Sequence, residues 1–324
     1  MQLIKTNKYL KYLGIPDIVN QLFLLFLTLI ILLNHEKFKE WYIVLAVNAA
    51  ISFFIFFIVY IYEIRTRLNR KVSPVIRILR FWYSIFIILF FFKEIYLIMV
   101  NLKPVYYDEL LIKADYFIFG FNPTQAAHCI ANPFLTEFLQ IIYTMFYIIP
   151  VIYGLELYLW KRYDEFKYAM FVIFLGFYLT FIGYMILPAI GPRFTLHEFG
   201  SINIEVPGLM FTNLLREIVN IGESVPKGTP FPELSAQRDA FPSSHTVIVL
   251  LIAYLSHKIK SKSFYFYFPY SLLVIFSTIY LRYHYVVDII AGVFISIVTI
   301  LITNLLYGSR FHENVKIANS KKQE

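Results

Sequence analysis

The chain has 324 residues, of which 59% are hydrophobic, 19% aromatic and only 15% charged. A soluble domain is about half apolar and a quarter charged, and a disordered chain needs low hydrophobicity, so both classes are excluded. The lone Cys129 excludes an intrachain disulfide. The net charge of +8 sits in short loops between apolar runs, which reads as membrane topology and not as a nucleic-acid surface.

Eight apolar runs are predicted to form an all-α, polytopic membrane bundle: 18–33, 41–62, 81–100, 134–159, 168–187, 243–259, 264–281 and 286–307. A crossing helix needs roughly 20 such residues, and lipid offers an exposed backbone no hydrogen-bond partner, so the spans are helical. The first run is followed by Asn34-His35-Glu36-Lys37 with no small-residue cleavage pattern, so it is expected to be retained. The expected organisation is a three-span region over 1–100, an outer loop with an amphipathic interfacial helix over 101–133, a five-span core over 134–307 and a tail over 308–324.

Orientation follows from Lys and Arg. With the N-terminus in the cytoplasm, the inner segments hold 19 of the 29 basic residues and the outer segments 9, with Lys93 inside a span. Both termini are thus expected in the cytoplasm, in a cell inner membrane or an endomembrane. The long loops 101–133 and 188–242 then face outward or into a lumen.

Three groups of chemically capable residues fall on that outer side. Phe241-Pro242-Ser243-Ser244-His245 opens the sixth span. A proline at the first helical position leaves the N–H groups of that turn free for an anion, so Ser243, Ser244 and His245 make a candidate phosphate cradle; a capped helix with an interfacial histidine is the plain alternative. Tyr283-His284-Tyr285-Val286-Val287-Asp288 opens the eighth span. His284 and Asp288 are four apart and are expected to share a helix face, where the carboxylate makes the far imidazole nitrogen more nucleophilic or basic. A structural staple is the alternative. Arg193, after Leu187-Pro188-Ala189-Ile190-Gly191-Pro192, offers a donor fork to phosphate or is an ordinary interfacial arginine. Glu137 and Glu156 lie near span ends and are expected to reach water, and Lys93 and Glu94 are expected to pair between helices. No His/Cys spacing suggests a metal site.

These segments, in this order, resemble the type 2 phosphatidic acid phosphatase superfamily, which also includes vanadium haloperoxidases. Pro242-Ser243-Ser244-His245 matches the family's Pro-Ser-Gly-His motif, and His284 followed by Asp288 matches its third motif. The family's first motif is missing, with Pro192-Arg193 in place of Arg-Pro, and Thr278 stands where the third motif carries arginine; Arg282 is close but displaced. The segment Asp108 to Pro123 and the run Tyr280 to Asp288 are similar to the inositol phosphorylceramide synthase-like branch. The resemblance implies a membrane phosphatase or phosphotransferase acting on a lipid phosphate or phospholipid. In it His284 attacks phosphorus, Asp288 orients His284, and His245 exchanges protons with the leaving and entering oxygens. Ser243, Ser244, Arg193 and Arg282 would hold the phosphate, with no metal and no cofactor. A polyprenyl-diphosphate phosphatase, a transporter and an inactive scaffold are the competing expectations. Head group, acceptor and oligomeric state stay open.

Overall fold

The computed structural model describes residues 12–102 and 105–320, with side chains as far as residue 307. It comprises two compact units, Met1–Pro104 and Val105–Glu324. The expected start of the N-terminal cytoplasmic segment and the last four residues of the expected tail lie outside the described residues; residues 308–320 continue the last helix.

The first unit is three long apolar helices, α1 (Ile15–Leu33), α2 (Trp41–Arg67) and α3 (Pro74–Leu102). Each is apolar and long enough to cross a bilayer, so the few polar side chains turn inward and find one another. Asp17, fully buried, takes two hydrogen bonds from Arg80, at 2.9 and 2.8 Å, and one from the Tyr83 hydroxyl at 2.6 Å. Glu94 accepts from the Asn48 side chain at 2.7 Å. Burying a carboxyl among apolar residues is costly without such donors.

The second unit contains α4 (Asp108–Phe119), α5 (Pro133–Met145), α6 (Ile149–Leu159), α7 (Tyr163–Ile186), α8 (Thr212–Gly222), α9 (Ser244–Lys258), α10 (Phe264–Tyr280) and α11 (Val286–Ser320), joined by loops with short helical turns. Helix α9 is central and packs on α7, α10 and α11. It is buried on nearly every side, from Ser244 through Ser256, as expected of a helix apolar all round.

All eight predicted runs are helical; among the described residues five helices are long and apolar enough to cross a membrane by length and composition, or six if α5 and α6 count as one bent span. The predicted spans 243–259 and 264–281 are helices of 15 and 17 residues, short of the roughly 20 a crossing requires. The predicted span 134–159 is broken by 54° between α5 and α6. Pro150 sits in the first turn of α6; it has no N–H to donate, and its ring clashes with the carbonyl four residues earlier.

Two close approaches fix the start of α9. Gly183 of α7 lies under Pro242, where an added Cβ would stand 2.4 Å from the ring. Gly292 of α11 lies against Ser243 and Thr246, where a Cβ would meet the Ser243 carbonyl at 2.9 Å. Gly183→Ala is expected to lower stability by about 1–3 kcal/mol, the usual range for overpacking. The thermal midpoint of the purified protein in detergent, beside the same change at exposed Gly200, checks it.

Candidate active site

The segment before α9 does not open the helix with proline as expected. The Phe241–Pro242 bond is cis and Pro242 precedes the cap, which is Ser243. The Ser243 hydroxyl accepts from the Thr246 N–H at 3.3 Å, and its own N–H donates to the Asp288 carbonyl at 3.1 Å. Ser243 is thus an N-cap that also ties α9 to α11. His245 follows in the first turn, buried.

His284 lies in the five-residue loop between α10 and α11, which is fastened by N–H donation from Tyr283 and His284 to the Thr278 carbonyl at 2.9 and 3.1 Å. Thr278 itself is fully buried and bonds the Ile275 carbonyl of its own helix. His284 precedes α11, so it and Asp288 do not meet by helical spacing on a common face. They meet because Asp288, in the first turn, reaches back to accept the Tyr285 N–H at 2.8 Å, as the acidic residue of a capping box does. That bond brings its Oδ2 to 3.3 Å from His284 Nδ1.

The imidazoles are in contact: His245 Nδ1 lies 3.2 Å from His284 Nε2. Protonation follows from the third partner. His284 Nδ1 lies 2.8 Å from the Ala240 carbonyl, which can only accept, so Nδ1 carries the proton and Nε2 keeps its lone pair. Nε2 then accepts from His245 Nδ1–H, and His245 Nε2 is left without a hydrogen-bond partner. The carbonyl, at the shorter distance, is the main acceptor of the His284 proton, and Asp288 is the second. Burial pushes the His284 pKa down to about 4, against a smaller upward pull from the Ala240 carbonyl. His284 is therefore a neutral base with a directed lone pair across the physiological range.

Aromatic rings cover this pair. Tyr143 stacks on His245 at 4.6 Å and on Tyr283 at 4.2 Å, and Phe146 lies 4.1 Å from His245. Tyr143 ends α5, and Phe146 occupies the break before α6. Arg193 lies over the Tyr283 ring, 4.9 Å from its centre. It donates to Asn220 at 2.9 Å and stands 4.0 Å from Glu223. With Arg216 and Tyr283 it lines a cavity of about 620 Å³. Asp239, next to Ala240, is held well above the usual carboxylate range by burial and by Glu223 beside it.

Of the expected residues, then, His245, His284 and Asp288 come together, Ser243 and Ser244 flank them, and Arg193 sits one ring away. Arg282 faces elsewhere. Fully buried, it donates to the Tyr280 carbonyl at 2.6 Å and places Nε 3.7 Å from Glu205. Its backbone is left-handed, with φ of 70°, which turns the chain sharply before Tyr283. Glu137 is buried and does not reach water as expected, while Glu156 is half-buried. Glu137 accepts from the N–H groups of Leu209, Phe211 and Thr212 and from the Thr212 hydroxyl, and Glu156 accepts from Ser261, Ser263 and Tyr267. Glu94 takes its hydrogen bond from Asn48.

Two residues with positioning roles carry no chemical signature in the sequence. Asp108 accepts from the N–H groups of Ile190 and Gly191, at 3.0 and 2.8 Å, and from the Tyr285 hydroxyl at 2.9 Å. It thereby joins the loop of Arg193 to the loop of His284. Asp115 accepts from the N–H groups of Val286 and Val287, both at 2.9 Å, and so caps α11 beside Asp288. The signal available beforehand was their spacing: two acids seven apart on one amphipathic helix, hence on one face.

The family model described as the PAP2 superfamily matches residues 109–302, more than half of the chain. The chain belongs to the PAP2 superfamily. No curated protein and no solved structure matches it. PAP2 membership makes it a phosphatase or phosphotransferase acting on phosphoesters, and its long apolar helices make it an integral membrane protein. The match does not separate the branches of the superfamily.

Two expectations follow. His284→Asn is expected to lose at least about a thousandfold in turnover, within the range of lost acid–base and nucleophilic contributions. Asp288→Asn leaves the Ala240 acceptor and hence the tautomer, and is expected to lose only about 10–100-fold, the worth of one charge-assisted hydrogen bond. Equal losses in the two variants would contradict the carbonyl's leading role. As for pH, the unfolded chain protonates its histidine near 6.5 while the fold holds His284 neutral to about 4. The stability contribution of His284 is thus present above 6.5 and declines as pH falls from 6.5 to 4. Denaturation of wild type and His284→Asn across that window measures it, and the slope should be smaller in the variant.

Proposed function

We propose that the protein is a membrane lipid phosphotransferase that uses a phosphohistidine, with hydrolysis as the case in which water is the acceptor. The observation that carries this reading is the His284 Nε2 lone pair, fixed by the Nδ1–Ala240 bond and facing His245 at 3.2 Å.

In the proposed reaction, the aromatic cover parts and the phosphoryl group enters between the two imidazoles. His284 Nε2 attacks phosphorus, the bond from phosphorus to the leaving oxygen breaks, and His245, protonated at both nitrogens once the anionic phosphoryl group lies against it, gives one proton to that oxygen and is left neutral. The resulting imidazolium keeps its Nδ1 proton between the Ala240 carbonyl and Asp288. An alcohol or water then gives its proton to His245 and attacks phosphorus, and the N–P bond breaks. Arg193 exchanges Glu223 for the phosphoryl oxygens, and the Glu223–Asp239 pair keeps the displaced charge close. Ser243 and Ser244 supply dipoles at the start of α9. Arg216, on the cavity wall, adds positive charge. Arg282 acts from further away, through Glu205. The residue set on this path needs no metal ion, and we place the site on the outer or lumenal face from the distribution of basic residues. The run Tyr280 to Asp288 favours the inositol phosphorylceramide synthase-like branch.

The test is a trapping experiment with purified protein in nanodiscs and phosphatidic acid or a phospholipid labelled at phosphorus. Wild type is expected to retain label that survives alkali and is lost in acid, and His284→Asn to retain none. Equal labelling of the two would remove His284 as the nucleophile. Turnover is expected to persist in a chelator; loss that magnesium restores would point to a different apparatus.

A further inference from the structure

Helix α8 carries a feature that the chemistry above does not use. Phe211, Leu214, Ile218 and Ile221 are exposed, at spacings that place them along one stripe of the helix. Leu214 is 61% exposed and Ile221 59%, and Met210 just before them is 79% exposed. On the other side Thr212, Arg216 and Val219 are buried, and Val219 packs in a core with Leu139, Tyr143 and Tyr283. The stripe has no charge: Arg216 turns inward to the Val206 carbonyl and Asn203, and Glu217 accepts from the Lys227 N–H.

The helix is fixed in place. Glu137 of α5 accepts the N–H groups of Leu209, Phe211 and Thr212, so the start of α8 is stapled to a helix of the bent membrane span. That span has its own exposed apolar stripe, Phe134, Phe138 and Ile141, and α8 packs directly on it. Helix α8 packs on α5 through Val219 against Leu139 and Tyr143, which leaves an exposed apolar stripe on each of the two helices. At 11 residues, or roughly 16 Å, α8 is too short to cross and suited to lie in the plane of the interface.

We propose that α8 is an in-plane helix whose Phe211–Leu214–Ile218–Ile221 stripe is seated in the leaflet on the active-site side, and that it feeds the site from that leaflet. Asn213, Arg216 and Asn220 of the same helix line the 620 Å³ cavity with Arg193, and Leu214 lies on both the stripe and the cavity rim. One helix thus separates hydrocarbon from the cationic cavity. A phosphoester with long acyl chains reaches Arg216 and Arg193 by turning its head group past Leu214 while its tails stay in the leaflet. This second clause rests on the lipid-phosphate reading above; the seating of the helix does not.

The experiment uses full-length protein in nanodiscs, with Cys129→Ser as background and single cysteines at 214, 218, 221 and, on the polar side, 227, each carrying an environment-sensitive fluorophore. Quenching by doxyl lipids at 214, 218 and 221, and by aqueous iodide at 227, is the expected result. Iodide quenching at all four overturns the seating, and so does protection of the three from both quenchers, which marks a protein contact such as a second copy. For the feed, Ile218→Asp is expected to raise KM for a long-chain lipid phosphate about tenfold, the equivalent of one pKa-sized step of about 1.4 kcal/mol, with kcat and the KM for a short-chain soluble phosphoester unchanged. Ile218→Asn substitutes if the aspartate does not fold. An equal effect on both substrates overturns the feed. No turnover of either substrate by wild type, with the labels still quenched by lipid, overturns the lipid-phosphate reading and leaves the seating intact.

Discussion

The hydrogen bond from His284 Nδ1 to the Ala240 carbonyl decides the state of the histidine pair. A carbonyl cannot donate, so the proton is held on Nδ1 and the lone pair on Nε2, whatever Asp288 does. Ala240 is in turn placed by its neighbours: its N–H donates to the Ala189 carbonyl at 3.0 Å, and Asp239 pairs with Ala189 in a parallel bridge. The loop after α7 and the loop before α9 are thus stitched together beside His284. In most imidazole sites a carboxylate is the principal orienting group; here a backbone atom takes that position, and Asp288 has the double task of capping α11 and standing beside the ring.

A second layer fixes the loops themselves. Asp108 and Asp115, on α4, collect five donated hydrogen bonds from two segments far apart in sequence. Backbone N–H groups at a helix start or in a tight turn have no partner of their own, and a buried carboxylate is stable only when several donors surround it. Each need answers the other. Helix α4 therefore sets the spacing between the Arg193 loop and the His284 loop without touching either side chain.

Much of the fold was legible in the sequence because lipid makes a simple demand. Runs of apolar residues had to be helices, and all eight were found as helices. The errors came where protein replaces lipid as the surrounding medium. Helix α9 is packed by its neighbours along most of its length, and hydropathy does not register who the neighbour is. Pro150 was visible, yet its break was read as part of one span. At the site, His245, His284 and Asp288 were legible from residue type and order. Their geometry was not, since the deciding acceptor is a main-chain carbonyl that any residue at 240 would supply. Glu137 was misread for a related reason: its partners are backbone N–H groups more than seventy residues away, and sequence carries no mark of them. Arg282 looked suitable by position, but its left-handed backbone and its ion pair with Glu205 turn it from the histidines.

The rings of Tyr143, Phe146 and Tyr283 have a consequence for acceptor choice. They leave His245 and His284 almost dry. In the proposed reaction, a phosphorylated histidine under such a cover would be partitioned by access and not by concentration, because bulk water, however abundant, must also displace stacked rings. An amphiphilic alcohol that inserts between Phe146 and Tyr143 gains contact area as it does so, while a water molecule gains none. The bend at Pro150, which delivers Phe146 to that cover, would then act as a kinetic filter on the second half-reaction, and loosening it would divert flux from transfer to hydrolysis.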